Sequence, residues 1–288
     1  MNPTVQAALW MSGAIVSFSS MAIAGRAISL DLDTFEIMLY RSLIGLAVVL
    51  AVAGATGHLR EITRRNLGLH FLRNLCHFTG QNLWFYALPI IPLAQVFALE
   101  FTSPLWAILL SALLLGERIT APRAVAGVLG FIGILIVARP TADTLSVGQI
   151  AAALAAIGFA GSAVFTRRLT RTETITCILF YLTLIQAILG LITTGYDGYI
   201  TLPSAANLPW LALIALAGLV AHSCMTAALK LAPASVVMPV DLLRLPLIAA
   251  IGMLLYAESL DPWVFLGAAV IFGANYLNIR AEMPRNPK

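Results

Sequence analysis

Residues 92–117 read PLAQVFALEFTSPLWAILLSALLLGE, and residues 233–258 read PASVVMPVDLLRLPLIAAIGMLLYAE. Superposed, they set Pro92 on Pro233, Glu100 on Asp241 and Glu117 on Glu258, all at a spacing of 141 residues. Each stretch starts at a proline and carries one carboxylate about eight residues in. Each then runs on as apolar sequence, long enough in total to cross roughly 30 Å of hydrocarbon as a helix. A carboxylate inside such a run is costly in lipid. Its return at the same place argues for two copies of one unit.

The same offset serves the rest of the chain without a gap. Arg26 falls on Arg167, Ile37 on Ile178, Tyr40 on Tyr181, Phe131 on Phe272 and Arg139 on Arg280. Matches are fewest in the third and eighth apolar blocks, which share mainly Leu and Ala. The reading is therefore two domains, 1–140 and 141–288.

Composition sets the environment. Of 288 residues, 60% are hydrophobic and 10% charged, and the mean hydropathy is +0.93. Soluble domains carry about 25% charged residues, so a water-facing surface is excluded. Ten apolar blocks are expected to span a membrane: 4–25, 34–54, 67–88, 92–115, 121–138, 147–166, 174–195, 207–229, 234–256 and 262–279. The connections are short and several sit at turn residues, such as Pro89, Arg139-Pro140 and Asp261-Pro262. The first block is read as a retained span, not a signal peptide, because residues 1–9 hold no Lys or Arg. Cys76, Cys177 and Cys224 lie within apolar blocks with no metal-ligand spacing around them, so neither a disulfide framework nor a metal site is expected.

The basic residues orient the chain. Arg60, Arg64, Arg65, Arg118, Arg123, Arg167, Arg168, Arg171, Lys230, Arg280, Arg285 and Lys288 lie in or beside even-numbered loops or the carboxyl tail. Only Arg26 and Arg139 lie in odd-numbered loops, and Arg41, Arg73 and Arg244 lie inside spans. Basic residues favour the cytoplasmic side, so both termini are expected there. The same distribution assigns the positive charge to membrane topology and not to nucleic-acid binding. Five spans per repeat is an odd number, so the second half enters the membrane in the opposite sense. The fold class is thus an all-α membrane protein of ten transmembrane helices, built as two inverted five-helix repeats. That plan recurs among secondary transporters.

The ordered features above resemble the EamA-type drug/metabolite transporters. They are the Ser103-Pro104-Leu105-Trp106 start and Gly116-Glu117-Arg118 end of the fourth span. Leu245-Pro246-Leu247 and Ala257-Glu258 repeat the pattern in the ninth. Gly127, Gly130, Gly133, Gly267 and Gly273 match the glycine-rich helices that close each half. The second-half proline, Pro246, stands one residue past the position symmetric with Pro104. The resemblance covers nearly the whole chain and implies alternating access around a central cavity lined by spans 1–4 and 6–9. It does not name a substrate.

Buried ionisable groups are functional candidates by default. His70, Arg73, Asn74, His77 and Gln81 recur at helical spacing as one polar stripe that lipid would not tolerate; Asn82, Trp84 and Tyr86 extend it. Glu100 and Asp241 are symmetry mates, and Arg244 lies one turn beyond Asp241 on the same face. The expected substrate-binding residues are Arg73, Asn74, His77, Gln81, Trp84, Glu100, Asp241 and Arg244. His77, Glu100 and Asp241 are the candidate proton carriers, since burial and charge move carboxylate and imidazole pKa values toward neutrality. Glu36 and Arg41 read equally as an internal ion pair. Glu117 and Glu258 read as solvated helix termini.

The expected function is transport of a small polar metabolite, such as an amino acid, organic acid, vitamin or nucleotide-like solute, across a bacterial inner membrane. A drug exporter of the same fold is the alternative; promiscuous drug binding favours an apolar, aromatic cavity, whereas a cavity with several charges suits a polar, zwitterionic or anionic solute. An intramembrane enzyme is disfavoured: HExxH, GxSxG and CxxC motifs are all missing from the sequence. No cofactor is expected. The partners are the solute and the bilayer, with the protein a monomer or a homodimer.

Overall fold

The computed structural model describes residues 3–115, 120–139, 146–231, 240–241 and 243–282. Glu117, Arg118, Pro140, Pro233, Arg285 and Lys288, used in the sequence reading, lie outside the described residues. Every regular element described is helical. They are α1 (Pro3–Ile28), α2 (Thr34–Ala55), a short 3-10 turn (His58–Glu61), α3 (Leu67–Ala87), α4 (Leu93–Glu100) and α5 (Ser103–Leu115). They continue as α6 (Ala121–Ala138), α7 (Val147–Leu169), α8 (Ile175–Thr193), α9 (Leu208–Leu231), α10 (Arg244–Tyr256) and α11 (Pro262–Glu282).

Six stretches are long and apolar enough to cross a membrane: Val5–Ile28, Thr34–Ala55, Leu93–Leu114, Val147–Leu169, Ile175–Thr193 and Leu208–Met225. Ala124–Ala138, Arg244–Tyr256 and Pro262–Leu277 are shorter apolar helices. Large apolar side chains stand exposed along these helices, among them Leu113, Val128, Ile192 and Leu254, each more than 60% accessible. An aqueous protein does not tolerate so much exposed hydrocarbon; a lipid-facing one requires it. This is a multi-pass membrane protein.

The helix starts follow local chemistry that the repeat preserves. Asp33 caps α2 by accepting from Glu36 N–H at 2.8 Å, and Glu36 returns a bond to Asp33 N–H, a capping box. The residue 141 positions later, Thr174, caps α8 by accepting from Cys177 N–H. Asn66 and Asn207, another pair at that spacing, directly precede α3 and α9.

The fourth apolar block differs from expectation. It is not one helix but two, α4 and α5, parted at Phe101-Thr102. Pro104 has no N–H to give to the Glu100 carbonyl and its ring crowds that carbonyl. Ser103 Oγ–H donates to it instead at 2.6 Å, and Asn275 Nδ2–H, from α11, donates to the next carbonyl, Phe101, at 2.9 Å. The break therefore supplies partners to the Glu100 and Phe101 carbonyls and ends α4 on the Glu100 side chain.

The packing interleaves the two halves. α1 lies along α9 and α3 along α7; α2 lies along α8 and α6 along α11. Moved by 141 residues, α1 becomes α7 and α9 takes the place of α3, so the first two contacts exchange. Close approach is made by small residues, as is usual between membrane helices. A Cβ on Gly158 of α7 would stand 2.7 Å from Gly80 Cα of α3. A Cβ on Gly267 of α11 would stand 2.8 Å from the Gly133 carbonyl of α6.

Candidate functional site

Three helix segments bring the candidate charges together. Glu100 closes α4, Asp241 lies in the described pair 240–241, and Arg244 opens α10. Arg244 Nη2–H donates to Asp241 Oδ2 at 3.1 Å and to Glu100 Oε1 at 3.2 Å. Trp84 Nε1–H, from α3, donates to the other Glu100 oxygen at 2.9 Å. Arg244 is 3% exposed and Asp241 3%, so the pair is shielded from water. The guanidinium carbon also sits 5.0 Å from the Phe18 ring, 5.0 Å from Phe97 and 4.9 Å from Phe101. Three aromatic faces around one cation stabilise it through their quadrupoles. Among the described residues, Asp241 Oδ1 and Arg244 Nε have no hydrogen-bond partner.

The polar stripe of α3 forms a second group. Arg73 Nε–H donates to Thr166 Oγ1 of α7 at 3.1 Å, and its Nη1–H donates to Asn74 Oδ1 at 2.8 Å. Asn74 Nδ2–H reaches the carbonyls of His70 and of Tyr181 in α8. Gln186 Nε2–H, also in α8, donates to His77 Nδ1 at 2.7 Å, and the His77 ring lies 6.1 Å from that of His222 in α9. Gln81 is 4% exposed and its Nε2 has no partner among the described residues. Of the eight expected site residues, then, Trp84, Glu100, Asp241 and Arg244 meet directly. Arg73, Asn74, His77 and Gln81 lie along the facing side of α3. Phe18 joins the two groups, since its ring also lies 5.6 Å edge-on to His222.

Several expectations need correction. Glu36 and Arg41 do not pair. Glu36 is used at the N-terminal end of α2 by Asp33 N–H and by Thr201 N–H, from the segment after α8. Glu258 is not a solvated terminus. It accepts from Arg26 and from Leu93 N–H at 3.0 Å, the first backbone donor of α4. His70, Glu173 and Cys177 had no sequence spacing to join them, yet their ligand atoms lie within 4.8 Å of one another. Glu173 already accepts from Asn66 at 2.6 Å and Thr63 at 2.9 Å. Burial would raise its pKa, but these hydrogen bonds outweigh burial and hold the carboxyl below its ordinary value.

Phe18, Phe97, Phe101, Thr166 and Gln186 were missed as site residues. Phe97 and Phe101 flank Glu100 at a four-residue spacing, a signal that was present. Phe18 is one apolar residue in an apolar helix, and only the tertiary fold singles it out.

A cavity of about 530 Å³ opens beside this site. It is lined by Asp33, Phe35, Asn82, Phe85 and Tyr86 together with Tyr196. Burial pushes the Asp33 carboxyl above its usual range, against the hydrogen bond from Glu36 N–H that lowers it. Asn82 and Tyr86 belong to the turn of α3 beyond Gln81, so the cavity continues the polar stripe toward the membrane surface.

Comparison with known proteins agrees with this architecture. A riboflavin transporter of Brucella anthropi is 35% identical over 227 residues, which is 77% of this chain and 80% of that protein. An S-adenosylmethionine uptake transporter of Rickettsia conorii is 26% identical over 95% of this chain and 92% of that protein. One crystal structure of 20% identity superposes with a TM-score of 0.64 over 96% of this chain and 99% of the other, which shows a shared fold. The sequence profile of the EamA-like transporter family matches twice, at 5–139 and 146–280, and the two matches are again 141 residues apart. On these grounds the chain belongs to the EamA-like transporter family.

Proposed function

We propose that this protein is a secondary carrier that moves a small polar metabolite through a central site between its two halves. Its ten spans form two inverted repeats, 1–140 and 141–288, with both termini in the cytoplasm. The exchange of the α1–α9 and α3–α7 contacts under the 141-residue offset supports that inversion, as does the segregation of basic residues. The substrate site is Arg73, Asn74, His77, Gln81, Trp84, Glu100, Asp241 and Arg244.

The observation that carries the reading is the ion triad of Glu100, Asp241 and Arg244. Its carboxylates occupy equivalent places in the two repeats and share one guanidinium across the interface between them. Buried pairs of this kind cost several kcal/mol of desolvation per ion, which a purely structural helix contact does not need. A solute or proton that exchanges with Arg244 would loosen one half from the other, which is what alternating access requires. Glu100, Asp241 and His77 are the groups able to carry a coupled proton. The relatives named for riboflavin and S-adenosylmethionine transport make a nucleoside- or flavin-like solute the first class to try.

The test is counterflow in proteoliposomes loaded with unlabelled riboflavin, S-adenosylmethionine, amino acids or organic acids. A carrier accumulates the matching labelled solute transiently and saturably. Linear, non-saturable leakage of every solute would count against a carrier. Exchange of lipophilic cations alone would turn the reading to drug export.

A further inference from the structure

Arg41 and Arg73 are the two intramembrane arginines that the triad does not use, and neither is matched by a carboxylate among the described residues. Arg73 is 5% exposed and is held only by the neutral oxygens of Thr166 and Asn74. Arg41 is partly exposed as a residue, but its Nη1 is buried and has no hydrogen-bond partner among the described residues. The His77 and His222 rings lie 6.1 Å apart, His77 stands one turn along α3 from Arg73, and α2, which carries Arg41, packs on both α3 and α9. The nearest acid along α2, Glu36, is occupied at the N-terminal end of the helix. Gln81 Nε2, two turns above Arg73 on α3, is a further buried donor without an acceptor.

Buried charges are paired in stable proteins because an unpaired one is very costly, and in a bilayer the cost is greater still. Arg41 Nη1 and Gln81 Nε2 are unfilled N–H donors, the complement of an acceptor-only anion. Guanidinium groups bind carboxylate and phosphate through two parallel N–H···O bonds. We infer that Arg41 and Arg73 form an anion subsite that receives a carboxylate or phosphate group of the transported solute. This deepens the carrier reading and rests on it. The solute's anionic end sits against Arg41, Arg73 and the two histidines. Its remaining part lies toward Phe18, whose ring separates this basic group from Arg244. A lipid headgroup phosphate carries the same chemistry, so the source must be separated by experiment.

Purified protein in detergent is unfolded thermally in succinate or inorganic phosphate against chloride at equal ionic strength. Wild type, Arg41→Gln, Arg41→Lys and Arg73→Gln are compared. The expected result is a saturable rise in Tm with the two anions. Arg41→Gln and Arg73→Gln weaken the apparent affinity by roughly tenfold or more, and Arg41→Lys keeps part of it. No anion-specific rise in wild type, or an undiminished rise in both Gln variants, overturns the subsite. So does stabilisation by added phosphatidylglycerol but by neither soluble anion. Counterflow in the same preparations separates the two readings. Saturable exchange that Arg41→Gln leaves intact, with no anion effect on Tm, removes the subsite and leaves the carrier. Anion stabilisation without exchange of any solute removes the carrier and leaves the anion site.

Discussion

Arg26, near the end of α1, and Glu258, just beyond α10, form an ion pair across 232 residues of chain. Glu258 also accepts from Leu93 N–H, and the Arg26 guanidinium carbon lies 4.3 Å from the Tyr256 ring centroid. One carboxylate thereby fastens the ends of α1 and α10 to the start of α4, where four orphan N–H groups await acceptors. This contact lies next to the cavity lined by Ser29 and Asp33. Glu258→Gln and Arg26→Ala are expected to loosen that closure, at about 1–3 kcal/mol for a charge-assisted bond. A cysteine placed at Ser29 should then react faster with a membrane-impermeant maleimide than in the parent. Unchanged labelling rates would show that the pair does not hold that end.

Removal of Arg244 leaves Glu100 and Asp241 buried side by side with no counter-charge. Breaking a buried pair from one side costs about 3–5 kcal/mol, so Arg244→Ala should lower Tm sharply and abolish counterflow. Arg244→Lys keeps the charge but loses the planar fork, so it should recover much of the Tm and less of the transport. The double variant Arg244→Ala with Asp241→Asn should be more stable than Arg244→Ala alone. If the single and double variants melt together, the triad is not the electrostatic unit described.

The glycines of α6 and α11 fall into two kinds. A Cβ at Gly267 would meet the Gly133 carbonyl at 2.8 Å and Val137 N at 3.0 Å, both backbone atoms. A Cβ at Gly127 or Gly273 meets nothing within 4 Å. Gly267→Ala should force α6 and α11 apart at a cost of about 1–3 kcal/mol. Gly273→Ala should match or slightly exceed wild type, because alanine is the better helix former. Thermal melts of the two variants decide this, and equal losses would contradict the packing.

Glu173 gives a pH dependence. Its carboxyl is held below its ordinary value by Asn66 and Thr63. A depressed carboxylate contributes stability that is full above the unfolded-state pKa, about 4.3 for glutamate. The contribution fades as pH falls through the lower folded-state value. Glu173→Gln should therefore narrow its stability gap to wild type as pH drops below about 4.3. A gap that stays constant from pH 7 to pH 3 would show that the anion is not what Asn66 and Thr63 hold.

The contacts of the fold were legible in the sequence to different degrees, and the residues show why. The Asp241–Arg244 contact was foreseeable because side chains three residues apart in a helical turn lie on the same side whatever surrounds them. The break at Pro104 was signalled by the proline, though the helix end at Glu100 and the donors from Ser103 and Asn275 were not. The Glu36–Arg41 pairing failed because a capping box and the Thr201 N–H competed for the same carboxylate. His70 and Cys177, 107 residues apart, gave no spacing to read.

Sequence alone determined the membrane setting, the 141-residue repeat, the family and the identity of the costly buried charges. Each of these depends on local hydropathy or on a one-dimensional comparison, and neither changes when helices rotate. Only the tertiary structure decided which charges meet. Trp84 and Arg244 converge on Glu100, Glu258 reaches Arg26 and Leu93, and Arg41 with Arg73 is left facing no acid. In an apolar chain many helix rotations hide the same amount of hydrocarbon from the same side. The choice among them rests on a few small-residue contacts, such as Gly80 against Gly158, whose partners lie far apart in sequence.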